Sequence, residues 1–136
     1  MGTKLNPYLN FAGETREAMQ FYADVLGGEL AIHTFGEYGD PGAENADGIM
    51  HASLETPDGN TLMASDTPPG IEMASGTPYI SLSGDDAEAL RGYWARLSDG
   101  GQVMMALEKQ MWGDEYGLCV DRFGVGWHIS IAGQPG

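Results

Sequence analysis

The chain contains one 21-residue pattern twice, first as NPYLNFAGETREAMQFYADVL at residues 6–26 and again as TPYISLSGDDAEALRGYWARL at residues 77–97. The copies align without a gap, and the identical pairs are Pro7/Pro78, Tyr8/Tyr79, Gly13/Gly84, Glu17/Glu88, Ala18/Ala89, Tyr22/Tyr93 and Leu26/Leu97. By chance, an alignment of this length is expected to share about one or two residues. We therefore infer a duplicated supersecondary unit, whose inter-copy groove is a natural place for a ligand.

Each copy begins with a strand pattern and continues with a helix pattern. Leu9 and Phe11 alternate with their neighbours, as do Ile80 and Leu82 in the second copy, which is typical of a strand with one buried face. Apolar residues then recur at helical spacing. These two apolar stripes are Ala18, Phe21, Tyr22, Val25 and Leu26 in the first copy, and Ala89, Leu90, Tyr93, Trp94 and Leu97 in the second.

Capping signals predict where both helices begin and end. Asp85 has Glu88 three residues later, the spacing of a capping box, and Glu14 with Glu17 is a weaker version. The glycine pairs at 27–28 and 100–101 are typical helix terminators.

Three strand patterns follow each helix. We predict strands at 29–35, 49–56 and 61–66 in the first copy, and at 102–107, 116–121 and 125–132 in the second, with turns at 57–60 and 122–124. Residues 36–48, rich in Gly, Asp and Glu, are predicted to form a mobile loop. The result is a single α+β domain over residues 1–136, built of a βαβββ module at 5–66, a linker at 67–76 and a second module at 77–132.

Composition excludes several classes of function. The formal net charge is −14 with only six Lys and Arg residues, which disfavours binding to nucleic acid or to an anionic membrane. No apolar run approaches the roughly 18 residues that a membrane helix needs, and the N-terminal residues lack a signal-peptide pattern. Cys119 is the only cysteine, so an intrachain disulfide is impossible and a cytoplasmic location is expected.

A doubled βαβββ unit resembles the vicinal oxygen chelate superfamily, which has the glyoxalase, bleomycin-resistance and extradiol dioxygenase fold, and within it the PhnB-like branch. The residues that carry the resemblance are Pro7-Tyr8-Leu9-Asn10-Phe11, Glu17-Ala18, Phe21-Tyr22, Leu26-Gly27-Gly28, Ile49-Met50-His51-Ala52, Leu62-Met63-Ala64-Ser65-Asp66, Trp112-Gly113 and the stretch from Asp121 to Trp127. The resemblance implies two curved sheets that form a cup, and by family habit a homodimer. The branch is often labelled as a demethylubiquinone methyltransferase, but the sequence has no glycine-rich strand-to-helix turn for a nucleotide-like cofactor.

The resemblance also implies four metal-ligand positions, on the first and last strand of each unit. His128 lies four residues beyond the turn glycine Gly124, and the same count from Gly59 reaches Met63. On the first strands the positions are Pro7 or Tyr8, and Tyr79. Only His128 is an ordinary ligand of a divalent first-row ion, so we predict a protein without a metal cofactor, in which His128 is a ligand only if a metal is present. The alternative is a purely structural role for these residues. His128 would then be a hydrogen-bonded structural residue, and Tyr8, Tyr79 and Met63 would only line the cup.

Other side chains are candidates for ligand contacts or for acid/base chemistry. Trp112 and Tyr116, beside Gly-Asp-Glu at the entry to a strand, are predicted to form a lip of the pocket, although either could belong to the core. His51 and Glu55 share a strand face but lie about 13 Å apart, so a solvated face is the stronger interpretation, and His33 is expected at the surface.

The remaining reactive groups are weaker candidates. Asp66 or Glu115 could supply a general base if one exists. Cys119 lies in an apolar strand without a basic neighbour in sequence, so it is interpreted as a buried small hydrophobe rather than a nucleophile.

The sequence therefore predicts a protein that binds or transforms a small, partly apolar molecule in the cup between its modules. The predicted pocket residues are Tyr8, Asn10, Met63, Tyr79, Ser81, Trp112, Tyr116 and His128. The alternatives are a metal-dependent lyase or dioxygenase that uses His128, and a fold that serves only as a dimeric scaffold. The ligand itself is not encoded in any motif of the sequence.

Overall fold

The computed structural model of the chain describes residues 6–39, 41–42, 46–67 and 78–133. The chain divides into two compact units, Met1–Ser75 and Gly76–Gly136. Each unit contains one four-stranded mixed sheet and one helix of 12 residues, which confirms the predicted α+β class and the βαβββ order. Apart from Thr67, the predicted linker at 67–76 lies outside the described residues.

The described residues of the first unit form four strands and two helices. In chain order they are β1 (Tyr8–Phe11), α1 (Thr15–Leu26), β2 (Glu29–Thr34), α2 (Phe35–Tyr38), β3 (Ile49–Glu55) and β4 (Thr61–Asp66). The strands lie in the order β1-β4-β3-β2. β1 is parallel to β4, and the other neighbours are antiparallel.

Residues 78–133 of the second unit repeat this arrangement, and a counterpart of α2 is not found among them. Its elements are β5 (Tyr79–Gly84), α3 (Ala87–Ser98), β6 (Gln102–Lys109), β7 (Glu115–Val120) and β8 (Gly126–Ile131). The strands lie in the order β5-β8-β7-β6, and β5 is parallel to β8. Within the described part of the chain, none of the helices has the length and apolar character that crossing a membrane requires.

Each long helix covers one face of its own sheet. The buried residues of α1 are Thr15, Ala18, Met19, Tyr22 and Val25, and those of α3 are Leu90 and Leu97. The predicted stripe of α1 was partly wrong, because Phe21 and Leu26 stay half-exposed while Thr15 and Met19 are buried. The buried face is therefore rotated toward the N-terminal turn, and complete burial of a side chain as large as Met19 contributes about 1.5–3 kcal/mol.

A buried carboxylate holds the beginning of α1. Asp66 Oδ1 accepts hydrogen bonds from Thr15 Oγ1 at 2.7 Å, from Gly13 N at 3.1 Å and from Thr15 N at 3.2 Å. Its Oδ2 accepts from Ile49 N at 2.9 Å. The expected cap at Glu14 is wrong, because that side chain makes no capping hydrogen bond. The last residue of β4 therefore supplies the acceptor that a local cap would otherwise provide.

The helix α3 has a local cap, one residue later than the sequence suggested. Asp86, rather than Asp85, accepts a hydrogen bond from Ala89 N at 3.1 Å. Both carboxylates precede the apolar stripe, so sequence spacing alone did not separate the two choices.

A short helix replaces the beginning of the predicted loop at 36–48. Phe35–Tyr38 form α2, and Thr34 Oγ1 accepts from Glu37 N at 3.3 Å at its N-terminus. Sequence periodicity did not predict this helix, because four residues form only about one turn and show no repeating pattern. Residues 40 and 43–45 of the same segment lie outside the described residues.

The predicted turns between the last two strands of each unit are confirmed. In the first unit Gly59 N donates to Thr56 O and Thr56 N to Asn60 O, and in the second Gly124 N donates to Asp121 O. Gly59 and Gly124 have φ angles of 86° and 87°, a conformation that residues with a side chain rarely adopt. These two glycines therefore fix equivalent points in the two hairpins.

Candidate functional site

The sheet of the second unit has one buried face and one open face. On β8, Trp127, Ile129 and Ile131 are buried on the side of α3, while His128 between them lies on the opposite side. Gly117 of β7 is paired with Ile129, and a Cβ atom added at Gly117 would lie 2.8 Å from the Trp94 ring of α3. The face that contains Ile129 is therefore the face that α3 covers. Strand alternation and register then assign Tyr79, Ser81, Tyr116, Leu118, His128 and Ser130 to the open face of the second unit.

Three side chains of this open face form an aromatic cluster: Tyr79, Tyr116 and His128. The Tyr116 hydroxyl lies 2.5 Å from His128 Nδ1, and their ring centroids are 5.8 Å apart. The Tyr79 ring centroid lies 5.4 Å from that of His128, with the ring planes inclined by 50°. The register explains the contact with Tyr116, because His128 is paired with Leu118 and Tyr116 is therefore its diagonal neighbour.

Tyr79 lies over a position that has no side chain. It is paired with Gly126 in the parallel ladder of β5 and β8. The space beside Gly126 is filled by the Tyr79 ring, so closely that a Cβ atom built there would lie 2.2 Å from Tyr79 Cδ1. The Tyr79 side chain remains 53% exposed. One surface of its ring therefore rests on the backbone of Gly126 while much of the residue stays accessible.

Of the two residues predicted at the edge of the pocket, Trp112 and Tyr116, only one belongs to this cluster. Tyr116 belongs to it, whereas Trp112 lies in the turn before β7 and is 62% exposed. The turn is closed by a hydrogen bond from Gln110 N to Asp114 O at 2.7 Å. Across the described residues, no ring contact of Trp112 with the cluster is found.

The open face of the first unit contains a different set of side chains. Alternation and register place Tyr8, Asn10, His51, Ser53, Met63 and Ser65 there. Tyr8 is paired directly with Met63, and its hydroxyl lies 3.4 Å from His51 Nδ1. Ser65 Oγ donates to Asn10 Oδ1 at 3.3 Å. Tyr8, Asn10 and Met63, three of the predicted pocket residues, therefore share one face in this unit.

Sequence reasoning missed the contact between Tyr8 and His51. The two rings have centroids 5.9 Å apart, although their strands are separated by β4. His51 is also paired with His33 on β2, whose Nδ1 lies 3.3 Å from Glu37 Oε2. The available signal was the alternation of His51 and Ser53 with the buried residues of β3, which places His51 on the same face as Tyr8.

The two units differ by two residues in how the first strand pairs with the last. Counting four residues from the turn glycines makes Met63 and His128 equivalent, yet Met63 is paired with Tyr8 and His128 with Ser81. The sequence repeat had aligned Tyr8 with Tyr79, and 81 − 79 gives the difference of two. The register of the parallel ladder and the sequence repeat therefore give different residues as the equivalent of Tyr8. In the second unit the register gives Ser81.

The side chains at the four implied ligand positions do not form a usual site for a divalent metal. With Ser81 in place of Tyr79, the four positions implied by the fold hold a phenol, a thioether, a hydroxyl and the imidazole of His128. Only the imidazole is a usual ligand of zinc, nickel, manganese or iron. The described residues also contain no group of three or more His, Cys, Asp or Glu side chains that could hold a metal ion.

The carboxylates considered as bases are engaged in structural contacts. Asp66 holds the beginning of α1, as described above. Glu115 Oε2 accepts from Arg91 Nη2 at 2.6 Å on the helix side of the sheet. Asp121 is 3% exposed and accepts from Trp127 Nε1 at 2.8 Å as well as from two backbone amides of its turn. Within the second unit, Glu115 lies on the face opposite to the aromatic cluster.

Cys119 is a buried residue, as predicted. Its side chain lies on the helix side of β7, paired with Trp127. Burial, together with the negative charge of Asp121, raises the pKa of the Cys119 thiol to about 11. A thiol in this environment is a poor nucleophile.

Comparison with known proteins identifies relatives along nearly the whole chain. A family model described as 3-demethylubiquinone-9 3-methyltransferase matches residues 3–130. Protein PA1353 from Pseudomonas aeruginosa has a crystal structure that is similar over 96% of this chain and 98% of that one, with 36% identity and a TM-score of 0.84. Protein YjdN from Escherichia coli (strain K12) is 28% identical over 142 residues, which cover 96% of each chain.

A more distant structure shares the fold alone. It is a glyoxylase/bleomycin resistance protein/dioxygenase domain from Frankia sp. EAN1pec, 13% identical, with a TM-score of 0.68 over 100% of this chain and 95% of that one.

Proposed function

The chain belongs to the 3-demethylubiquinone-9 3-methyltransferase family, the PhnB-like branch of the vicinal oxygen chelate superfamily, and we propose that it binds a small, partly apolar molecule without a metal ion. The observation that carries the proposal is the aromatic cluster. Tyr79, Tyr116 and His128 lie together on the face opposite to α3, which covers the core side of the sheet in the described part of the second unit. A group of partly accessible aromatic rings with polar tips is suited to a small ligand that is apolar in part.

The proposal does not include methyl transfer. Binding a nucleotide-like methyl donor at a strand-to-helix turn calls for several glycines that let the backbone approach the cofactor. The turn between β1 and α1 is Ala12-Gly13-Glu14, and its counterpart after β5 is Asp85-Asp86. Both turns are acidic and hold at most one glycine, so the activity in the family's description is not extended to this chain.

Absence of a metal is the second part of the proposal, and the chemistry of the four implied positions supports it. One imidazole beside a phenol, a thioether and a hydroxyl would bind a divalent first-row ion weakly. Elemental analysis of protein purified without chelators and without a metal-affinity step tests this directly. We expect substoichiometric metal. Stoichiometric nickel, zinc, manganese or iron that is lost in His128→Ala would contradict the proposal and favour a metal-dependent lyase or dioxygenase.

Ligand binding itself is tested by a thermal-shift screen of metabolites and drugs on the native protein. A molecule present at 100 times its Kd stabilises the folded state by about 2.7 kcal/mol, which such a screen detects. We expect stabilising molecules whose effect is lost in Tyr79→Ala and kept in Gln20→Ala, an exposed position on α1. If no molecule stabilises the protein, or if Tyr79→Ala leaves every effect unchanged, the proposed site is wrong.

We also propose that the chain forms a homodimer through its second unit. β6 is an edge strand of its sheet, and Val103, Met104 and Met105 are 49%, 54% and 46% exposed. Consecutive residues point to opposite sides of a strand, so apolar groups are exposed on both sides of this edge. An exposed apolar edge strand is a preferred place for pairing with a second chain.

A further inference from the structure

We propose that the aromatic cluster recognises a neutral, planar molecule with a carbonyl-type oxygen, whose ring stacks on Tyr79 and whose oxygen accepts a hydrogen bond from His128 Nε2. The inference rests on the proposed function and names the class of ligand for the same site. It also assigns Tyr116 and Gly126 as positioning residues, which act through His128 and Tyr79.

The hydrogen bond from Tyr116 determines which nitrogen of His128 carries the proton. A neutral imidazole has one donor and one acceptor nitrogen, and a phenol is a better donor than acceptor. We therefore assign the Tyr116 hydroxyl, 2.5 Å from Nδ1, as the donor to that nitrogen. The proton of the neutral ring then lies on Nε2. Within the described residues, Nε2 makes no hydrogen bond, so it is a donor available to a ligand.

The ring of Tyr79 is held in place by the glycine beneath it. Because Gly126 has no side chain, the Tyr79 ring can rest on the ladder between β5 and β8 and approach His128. A planar ligand that stacks on Tyr79 would bring a ring substituent within reach of the imidazole. Offset stacking of two aromatic rings is a favourable geometry, so the Tyr79 ring would orient the ligand as well as bury its surface.

Charge around the cluster favours a neutral ligand. Glu108 is paired with Tyr116 and therefore adds a carboxylate to the same face. None of the residues assigned to this open face is Lys or Arg, and the formal net charge of the chain is −14. A carboxylate or phosphate ligand would be repelled, whereas a carbonyl oxygen accepts a hydrogen bond without carrying a charge.

Two matched probes test the inference: methyl naphthyl ketone and isopropenylnaphthalene, which has a methylene group in place of the oxygen. Titration of the native protein, followed by the NMR resonances of the open face, gives both affinities. We expect the ketone to bind about fivefold more tightly, since one hydrogen bond contributes about 1 kcal/mol. The preference should disappear in His128→Phe, which keeps a ring and removes the donor.

The positioning residues give further readouts. Tyr116→Phe should bring the ratio of the two affinities closer to one, because Nδ1 of His128 loses the partner that holds the ring proton on Nε2. Gly126→Ala should weaken both probes, because its methyl group displaces the Tyr79 ring, while Gly92→Ala, which meets no atom within 4 Å, should weaken neither. In the free native protein, the 15N shifts of His128 should show Nδ1 as the unprotonated nitrogen and Nε2 as the protonated one.

The outcomes separate this inference from the proposed function. Equal affinities for the two probes, or a protonated Nδ1 in the neutral ring, would overturn the inference and leave ligand binding intact. Failure of both probes to bind at this face would also overturn it. The proposed function would then be judged by the thermal-shift screen alone.

Discussion

The Tyr116 hydroxyl lies 2.5 Å from Nδ1 of His128, across the antiparallel pair of β7 and β8. This contact links two neighbouring strands through side chains on the open face, in addition to their backbone ladder. Both residues are half-buried, and the Tyr79 ring lies against the same imidazole. The hydrogen bond therefore orients the His128 ring before any ligand arrives.

Removing this hydrogen bond should destabilise the second unit slightly. We expect Tyr116→Phe to lower the free energy of unfolding by about 0.5–1.5 kcal/mol, because the imidazole loses its partner but can still be hydrated. Tyr93→Phe on α3 is the matched control, since the Tyr93 hydroxyl makes no hydrogen bond within the described residues. Urea denaturation followed by tryptophan fluorescence measures both. Equal stabilities of the two variants would show that the contact contributes nothing.

The beginning of α1 should depend on one carboxylate. Asp66→Asn keeps the shape of the side chain but replaces an acceptor oxygen by an amide group that cannot accept from Thr15 or Ile49. We expect a loss of about 1–3 kcal/mol, because a buried donor is left unsatisfied. Asp86→Asn should have little effect, since Asn is an equally good N-cap of α3. A loss for Asp86→Asn as large as that for Asp66→Asn would contradict this account.

The buried thiol should make stability fall at alkaline pH. The pKa of Cys119 is raised from 9.0 to about 11, so the folded state keeps its proton where the unfolded state has already lost it. Its contribution is fully present below pH 9 and decreases as the pH rises toward 11. Cys119→Ala should flatten this part of the stability profile.

The same burial predicts slow modification of Cys119 in the native protein by a thiol reagent near neutral pH, and fast modification in denaturant. A native rate equal to the denatured rate would place the thiol at the surface.

The proposed dimer contact should be sensitive to charge on β6. Met105→Lys places a cation on the exposed edge, a substitution that natural edge strands use to prevent pairing. We expect sedimentation analysis to show a shift from the dimer toward the monomer of 14.5 kDa. Met111→Lys, at a turn residue that is 98% exposed, is the matched control and should leave the assembly unchanged. A Met105→Lys variant that dimerises as strongly as the native chain would rule out β6 as the interface.

Strand alternation predicted the faces of the sheets from the sequence. Leu9 and Phe11 alternate with Tyr8 and Asn10 in the sequence, and the structure buries Leu9 and Phe11 while leaving the other two exposed. The repeated strand-helix pattern likewise predicted the order of the elements. These features depend on residues close together in the chain, where periodicity is informative.

The pairing of distant strands could not be predicted in the same way. A gapless repeat makes Tyr8 and Tyr79 equivalent, a separation of 79 − 8 = 71, whereas the glycine pairs after the helices are separated by 100 − 27 = 73. In the parallel ladders the residue that corresponds to Tyr8 is Ser81, and 81 − 8 gives the same separation of 73 as the glycine pairs. Register between β1 and β4 is set by packing over the whole sheet, which the local identities of the repeat do not report.

The contact between Tyr116 and His128 also required the register of a hairpin. Both residues were predicted as pocket residues, but their hydrogen bond follows from the pairing of Leu118 with His128. The contact of Tyr8 with His51 spans an intervening strand, and sequence alternation alone gave only the shared face.

Ligand binding at the aromatic cluster is tested most directly by NMR mapping of a molecule found in the thermal-shift screen, titrated into isotopically labelled native protein. We expect the largest shift changes at Tyr79, Tyr116 and His128, and we expect Tyr79→Ala to weaken binding at least several-fold. Changes confined to the outer surface of α1 or α3, with unaffected resonances on the open face of the second unit, would contradict binding at the cluster.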